Sequence, residues 1–158
     1  MRLPLSRLFV GATLAFTSGC GGSGAAAEGG PPFKAVASVD QLMLGTIQHA
    51  ASVYWNSVST VVDKDGIHEN FPQNDMEWTT TWAAAITLAE SGNLLMMPER
   101  ARADADWNKF ALQLVEVGNR AAQAAEARNA DLVLEQGEKV YDVCTACHMK
   151  FIMDAEQP

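Results

Sequence analysis

Apolar residues recur at steps of three and four positions in four separate stretches of the chain, which is the period of an amphipathic helix. The first predicted helix starts at Asp40, a residue type that caps helices, and runs to about Val62. Residues 63–66 then end the helix, and residues 67–73 are predicted to form a loop. The apolar stripe of this helix consists of Met43, Ile47, Ala50, Tyr54, Val58 and Val61.

The second predicted helix opens at residues 74–77, Asn-Asp-Met-Glu, which is close to a capping box. Gly92 is its predicted stop, because glycine is common just after the last helical turn. Its apolar face consists of Trp78, Trp82, Ile86 and Ala89. The spacing favours core positions for the two tryptophans over a role as an electron relay.

A third helix is predicted over residues 99–128 and a fourth over residues 130–153, with Asn129 as the cap of the fourth. No stretch has the alternating pattern of a strand. We therefore predict an all-α fold in which the four helices form an up-down-up-down bundle. The inward positions of the last two helices are Trp107, Phe110, Leu114, Val117, Ala121 and Ala125, and then Val133, Gly137, Val140, Cys144, His148 and Phe151.

The first 19 residues have the pattern of a signal peptide. Arg2 and Arg7 supply the positive start, and the apolar run over residues 8–16 is too short for a permanent membrane span. The residues before Cys20 resemble the lipobox of bacterial lipoproteins, although Thr17 stands where that pattern usually has Leu. Cys20 is thus a candidate for lipidation, and ordinary cleavage nearby is the alternative. Either outcome predicts export to the periplasm.

Residues 20–38 are predicted to be a flexible tether, since residues 21–32 are almost entirely Gly, Ala and Pro. The bundle domain then spans residues 39–158. If Cys20 carries a lipid, the tether holds this domain off a membrane to which the protein is attached only by that anchor.

The chain has 11 basic and 19 acidic residues, a net charge of −8. Loss of the signal peptide would remove Arg2 and Arg7 and leave a mature charge of −10. Such an acidic surface argues against binding to nucleic acid, and it favours a basic protein partner.

The residues with the clearest chemistry are Cys144-Thr145-Ala146-Cys147-His148, a C-x-x-C-H motif typical of c-type haem attachment. Two thiols add to the haem vinyl groups, and the adjacent imidazole binds the iron. On a helix these three side chains project from one face. A thioredoxin-like dithiol would need a βαβ context, and zinc would need further ligands.

A four-helix bundle with C-x-x-C-H near the end of its last helix resembles the cytochrome c′ family. Trp107 and Phe110, followed by the alanine-rich residues 121–127 and by Asn129, are similar to the third helix and the turn of that family. The resemblance covers roughly residues 39–151. It implies one haem c per chain, held by Cys144 and Cys147, with His148 as the proximal iron ligand and Phe151 as the aromatic residue after the motif.

The chain departs from the family at two basic positions near the haem. Ile152 stands where a basic residue follows the aromatic one, and Val39 and Asp40 occupy the region of an arginine early in the first helix. Lys150 is the substitute candidate for neutralising the haem propionates.

The resemblance also places the first helix over the open face of the haem, with Met43 at about the matching position. A thioether ligand raises the reduction potential relative to a second histidine, which favours electron transfer. The alternative is that Met43 is a core residue. Met96 and Met97, in the apolar link after the second helix, are rival ligands, or else form the wall of the pocket with Leu94 and Leu95.

The resemblance implies an exported monohaem electron carrier rather than an enzyme, with redox proteins as partners. A five-coordinate haem protein that binds or scavenges NO or CO is the alternative. A third interpretation is a haemless helical interaction module with an accidental C-x-x-C-H. Dimers formed through the first two helices are common in this family, so a homodimer is a further expectation.

Overall fold

The computed structural model describes residues 33–153, of which 71% are helical. The first helix, α1, begins after Ser38, whose hydroxyl accepts a hydrogen bond from the Gln41 backbone N–H (3.2 Å). The Gln41 side chain accepts one in return from the Ser38 N–H (3.0 Å), which completes a capping box. The predicted cap, Asp40, instead lies in the first turn. Helix α1 comprises Val39–Leu42, a π-helical turn at Met43–Ile47, and Gln48–Ser57.

A β-hairpin follows α1, and it corrects the prediction of an all-α fold and of a first helix reaching Val62. Strand β1 (Ser59–Asp63) pairs antiparallel with β2 (Gly66–Asn70), with Val62 opposite Ile67. Gly66 has φ 136°, a value open to glycine. A β-branched run before Asp65-Gly66 is a hairpin signal, and it prevails here over the continuing helical period.

The second long helix, α2, spans Asp75–Leu95, and its predicted start is confirmed. The Asn74 side chain accepts a hydrogen bond from the Glu77 backbone N–H (3.0 Å). The predicted stop at Gly92 is wrong, since the helix continues for three more residues. A Cβ at Gly92 would lie 2.6 Å from Cγ2 of Val115, so this glycine serves close helix packing.

Three consecutive threonines on α2, Thr79, Thr80 and Thr81, share one local arrangement. Each hydroxyl donates a hydrogen bond to the carbonyl four residues earlier, at 2.7, 2.9 and 3.1 Å. The run thus satisfies its own polar groups inside the helix. Trp78 is half-buried, but Trp82 is 40% exposed, so the prediction of a core position fails for Trp82.

Helices α3 (Ala105–Glu126) and α4 (Ala130–His148) complete the fold, and α4 runs into a π-helical turn at Met149–Met153. Helix α3 starts later than predicted, because the Asp104 side chain caps it by accepting from the Asp106 N–H (2.8 Å). Asn129 caps α4 as predicted, accepting from the Leu132 N–H (3.0 Å).

The four helices share one apolar core. Tyr54 of α1, Val117 of α3 and Val140 of α4 are all at most 1% exposed. The Tyr54 hydroxyl donates to the Val133 carbonyl at 3.1 Å, and burial raises the pKa of this phenol. The prediction of four helices is thus confirmed within residues 33–153. None of the helices in this range combines the length and apolarity that crossing a membrane requires.

Candidate functional site

Helix α4 presents the C-x-x-C-H motif on the same side as its buried residues. Val133 and Val140, each at most 1% exposed, fix the face that α4 turns to the core. Cys144 lies four residues after Val140, and Cys147 and His148 follow at the next turn, so all three continue the direction of that face. Both cysteines are half-buried, and His148 is exposed at the rim.

These three side chains line one cavity of about 550 Å³ between the helices. This volume is within the range of about 300–1,000 Å³ that is usual for small-molecule and cofactor sites. The cavity lining is mostly apolar, with few polar groups. The side chains that face the motif from the other helices include Met43, Ile47, Ala51, Leu95, Trp107, Phe110 and Leu114.

Met43, on α1, lines the same cavity as the motif residues on α4. It is half-buried and is the first residue of the π-helical turn, whose hydrogen bond runs from the Gln48 N–H to the Met43 carbonyl. Single π-helical turns inside α-helices occur often at functional sites. The sequence carried no clear signal for this turn.

The other methionines considered as ligands lie elsewhere. Met96 and Met97 are half-buried but are not among the residues that line the cavity. The Met97 sulfur accepts a hydrogen bond from the guanidinium of the buried Arg100 (3.0 Å), which also donates to the Ala37 and Leu94 carbonyls. Leu95, which was predicted to lie in the apolar link and is the last residue of α2, does line the cavity.

Phe151 supports the cavity from behind. Its ring packs edge-on against Trp107 at 5.2 Å and against Phe110 at 6.3 Å between ring centres. The Trp107 indole N–H donates to the Leu95 carbonyl at 2.9 Å, which fixes the ring at the junction of α2 and α3. Phe151 thus acts on the site through Trp107 and Phe110, which do line the cavity.

The environment of the two cysteines favours neutral thiols. Burial raises the pKa of Cys144 to about 11, and the nearby Cys147 adds to this effect. Burial also raises the pKa of Cys147, against a smaller opposing effect of the Arg102 charge. The two are not joined in a disulfide. Reactive dithiol centres need lowered thiol pKa values, so this environment argues against a thioredoxin-like dithiol.

Charged groups gather where Phe151 meets the start of α3. Lys150 bonds to Asp106 and lies 3.5 Å from Asp104. This contact lowers the pKa of Asp106 and raises that of Lys150. Lys150, the predicted propionate partner, therefore already has carboxylate partners. The Arg102 guanidinium lies over the rings of Trp107 (4.8 Å) and Phe151 (5.2 Å).

Two aromatic residues that sequence reasoning missed also line the cavity. Trp55 and Tyr141 pack edge-to-face with ring centres 6.2 Å apart. The Trp55 indole N–H donates to the Gly137 carbonyl at 2.9 Å, which joins α1 to α4. For Tyr141 a signal was present, because it lies three residues before Cys144 and therefore on the same face of the helix. Trp55 carried no comparable signal.

Within residues 33–153, no three His, Cys, Asp or Glu side chains come together in a way that could hold a metal ion. Cys20 and the rest of residues 1–32, including the predicted signal peptide and most of the tether, lie outside the described residues. Comparison with models of protein families, with curated proteins and with solved structures finds no match to this chain.

Proposed function

We propose that this protein is an exported monohaem c-type cytochrome of the four-helix-bundle class that carries single electrons. The observation that supports the proposal most is the meeting of Cys144, Cys147 and His148 in one apolar cavity, with Met43 facing them from another helix. Two thiols and an imidazole, in this order and spacing, are the donor set that covalent haem attachment uses. The residues present therefore fit the group.

The roles of the residues follow from their positions. Cys144 and Cys147 would each form a thioether, and His148 would bind iron from the proximal side. A haem held there supplies a one-electron ferric–ferrous couple. The mostly apolar walls from α1 and α3 would favour the less charged ferrous state of a haem bound against them.

Met43 would supply the sixth ligand in the electron-carrier interpretation. The apolar lining also supports a second candidate function, binding of a diatomic gas such as NO or CO. Leu44, Ile47 and Ala51 line the cavity beside Met43 and offer no hydrogen bond, and the polar residues of this wall are Asp40 and Gln48. The two functions share the haem and differ in whether Met43 occupies the iron.

The test is to produce the full chain in a bacterial host with haem-ligation machinery and to purify the exported protein. Intact mass and a pyridine haemochrome spectrum should show one covalent haem per chain. The double substitution Cys144→Ala/Cys147→Ala should abolish it. Cys20→Ser is the matched control, because it removes a cysteine outside the C-x-x-C-H motif and should retain haem. The mass of the bare polypeptide would instead favour the haemless interaction module.

The same preparation tests the location proposed for the protein. If Cys20 is lipidated, the wild-type protein should partition with membranes, and Cys20→Ser should release it into the periplasmic fraction. Soluble wild-type protein would favour ordinary cleavage. Size-exclusion chromatography with light scattering on the released form would show whether it is a homodimer.

A further inference from the structure

Arg102, in the link between α2 and α3, lies 4.8 Å from the centre of Trp107 in the cavity lining, which is closer than Lys109 lies to Phe110 (5.9 Å). Lys150 is held by Asp104 and Asp106, and the positive charge of Lys109 also acts on Asp106. Arg100 is buried, and it donates to backbone carbonyls and to the Met97 sulfur. Among the residues that the structure describes, no carboxylate lies within ion-pair distance of Arg102.

The position of the guanidinium is fixed by two aromatic rings. It lies 4.8 Å from the centre of Trp107, which lines the cavity, and 5.2 Å from that of Phe151, three residues after His148. The planar guanidinium stacks well on aromatic faces, and its charge persists at all ordinary pH values.

We propose that Arg102 is the residue that raises the reduction potential of the attached haem, through a positive charge held by Trp107 and Phe151 beside the C-x-x-C-H motif. This inference rests on the proposed function. The ferric haem carries one more positive charge than the ferrous haem, so a nearby cation destabilises the ferric state more. Reduction of the haem takes up one electron from a partner protein. Arg102 would change the driving force of this reduction without binding the iron.

The charges at the start of α3 partly cancel. Asp104 and Asp106 carry two negative charges, Lys150 pairs with both, and the charge of Lys109 also acts on Asp106. Arg102 adds a further positive charge, so a neutral residue in its place would make this region less positive and would favour the ferric state. The negative charge of the haem propionates would act in the same direction.

The test compares midpoint potentials of full-length holoproteins by spectroelectrochemical titration. Arg102→Gln and Arg102→Met remove the charge, and Arg102→Lys keeps it without the stacking plane. Arg120→Gln is the matched control, because Arg120 is an exposed α3 residue that is paired with Glu116 at 4.0 Å and does not line the cavity. Arg102 is also exposed, so its replacement should leave the fold intact.

At the wild-type midpoint potential, both neutral variants should show a ferrous-to-ferric ratio roughly three to ten times lower than the wild type. A tenfold change corresponds to about 59 mV for a one-electron couple. Arg102→Lys should lose less, and Arg120→Gln should match the wild type. Added salt should shrink the difference, since Arg102 is exposed. If the neutral variants carry haem and have the wild-type potential, the proposed role of Arg102 is wrong but the proposed function stands. A wild-type chain without haem would overturn the proposed function as well.

Discussion

The indole nitrogen of Trp55 donates a 2.9 Å hydrogen bond to the carbonyl oxygen of Gly137, and this contact ties α1 to α4 beside the cavity. A Cβ at Gly137 would lie 3.2 Å from Cδ1 of Trp55, so the small residue lets the ring approach. Trp55 in turn packs on Tyr141, one turn before Cys144. The contact therefore sets the separation of the helix that carries Met43 from the helix that carries the motif.

We expect Trp55→Phe to lower the free energy of unfolding by about 1–2 kcal/mol. The substitution removes the hydrogen bond and part of a large aromatic contact. The loss is limited because the Gly137 carbonyl is part of helix α4 and is not left isolated. Urea unfolding followed by circular dichroism measures the change. His49→Phe is a suitable comparison, because it alters an exposed residue of the same helix. An equal loss in both variants would contradict a specific role for the Trp55–Gly137 contact.

Gly92 and Gly118, at the contact between α2 and α3, should tolerate an added side chain far less well than Gly45 in α1. A Cβ at Gly118 would lie 2.5 Å from the Ala89 backbone nitrogen, so Gly118→Ala should force the helices apart and cost roughly 1–3 kcal/mol. Gly45→Ala is the matched control, because nothing lies within 4 Å of its Cβ position. That variant should be neutral or more stable by roughly 0.5–1 kcal/mol, since alanine favours the helix. Thermal unfolding of both variants measures whether each substitution lowers or raises the stability of the protein.

The sequence predicted the parts of the fold that depend on local signals. Asn74 and Asn129 each cap a helix as their side-chain chemistry suggested. The helical period correctly indicated Val133, Gly137 and Val140 as buried residues of α4, but His148, also predicted inward, is exposed. The motif residues are also close together because i, i+3 and i+4 positions on one helix must be. Local chemistry was sufficient for these features.

Features that depend on tertiary contacts could not be predicted in the same way. Glycine often follows the last turn of a helix, but Gly92 lies inside α2. A glycine is needed at this position because α3 approaches too closely for any side chain. The hairpin after α1 had an Asp-Gly signal, which the apolar period of the preceding helix obscured. Arg102 carries no motif, and its place beside Trp107 and Phe151 exists only once α3 and α4 pack together.

The raised thiol pKa values predict a specific loss of stability in alkaline solution for haem-free protein. Cys144 has a pKa of about 11 in the folded chain, against 9.0 for an ordinary thiol. Between these values the unfolded chain releases a proton that the folded chain retains. The free energy of unfolding should thus be unaffected below about pH 9 and should fall by up to about 2–3 kcal/mol as the pH rises toward 11.

Urea unfolding at a series of pH values between 8 and 11 measures this loss. The same measurement on Cys144→Ser is the control, because serine has no proton to release in that range, and its curve should be flatter. Alkylation by iodoacetamide gives a second readout. In Cys147→Ser, the remaining Cys144 thiol should react slowly at pH 8 and accelerate up to about pH 11. Rapid reaction at pH 7 would contradict a neutral, buried thiol.

The identity of the sixth iron ligand decides between electron transfer and gas binding, and Met43 is the residue to change. If its thioether binds iron, the ferric wild-type protein should be low-spin, and Met43→Ala should be high-spin. The reduction potential should also fall, because a thioether ligand stabilises the ferrous state. Met97→Ala is the control, because the Met97 sulfur is hydrogen-bonded to Arg100 outside the cavity lining. The gas-binding function would be favoured if the wild-type protein is high-spin from the start and binds CO without displacing a ligand. Met43 would then be one more apolar residue in the wall of the cavity.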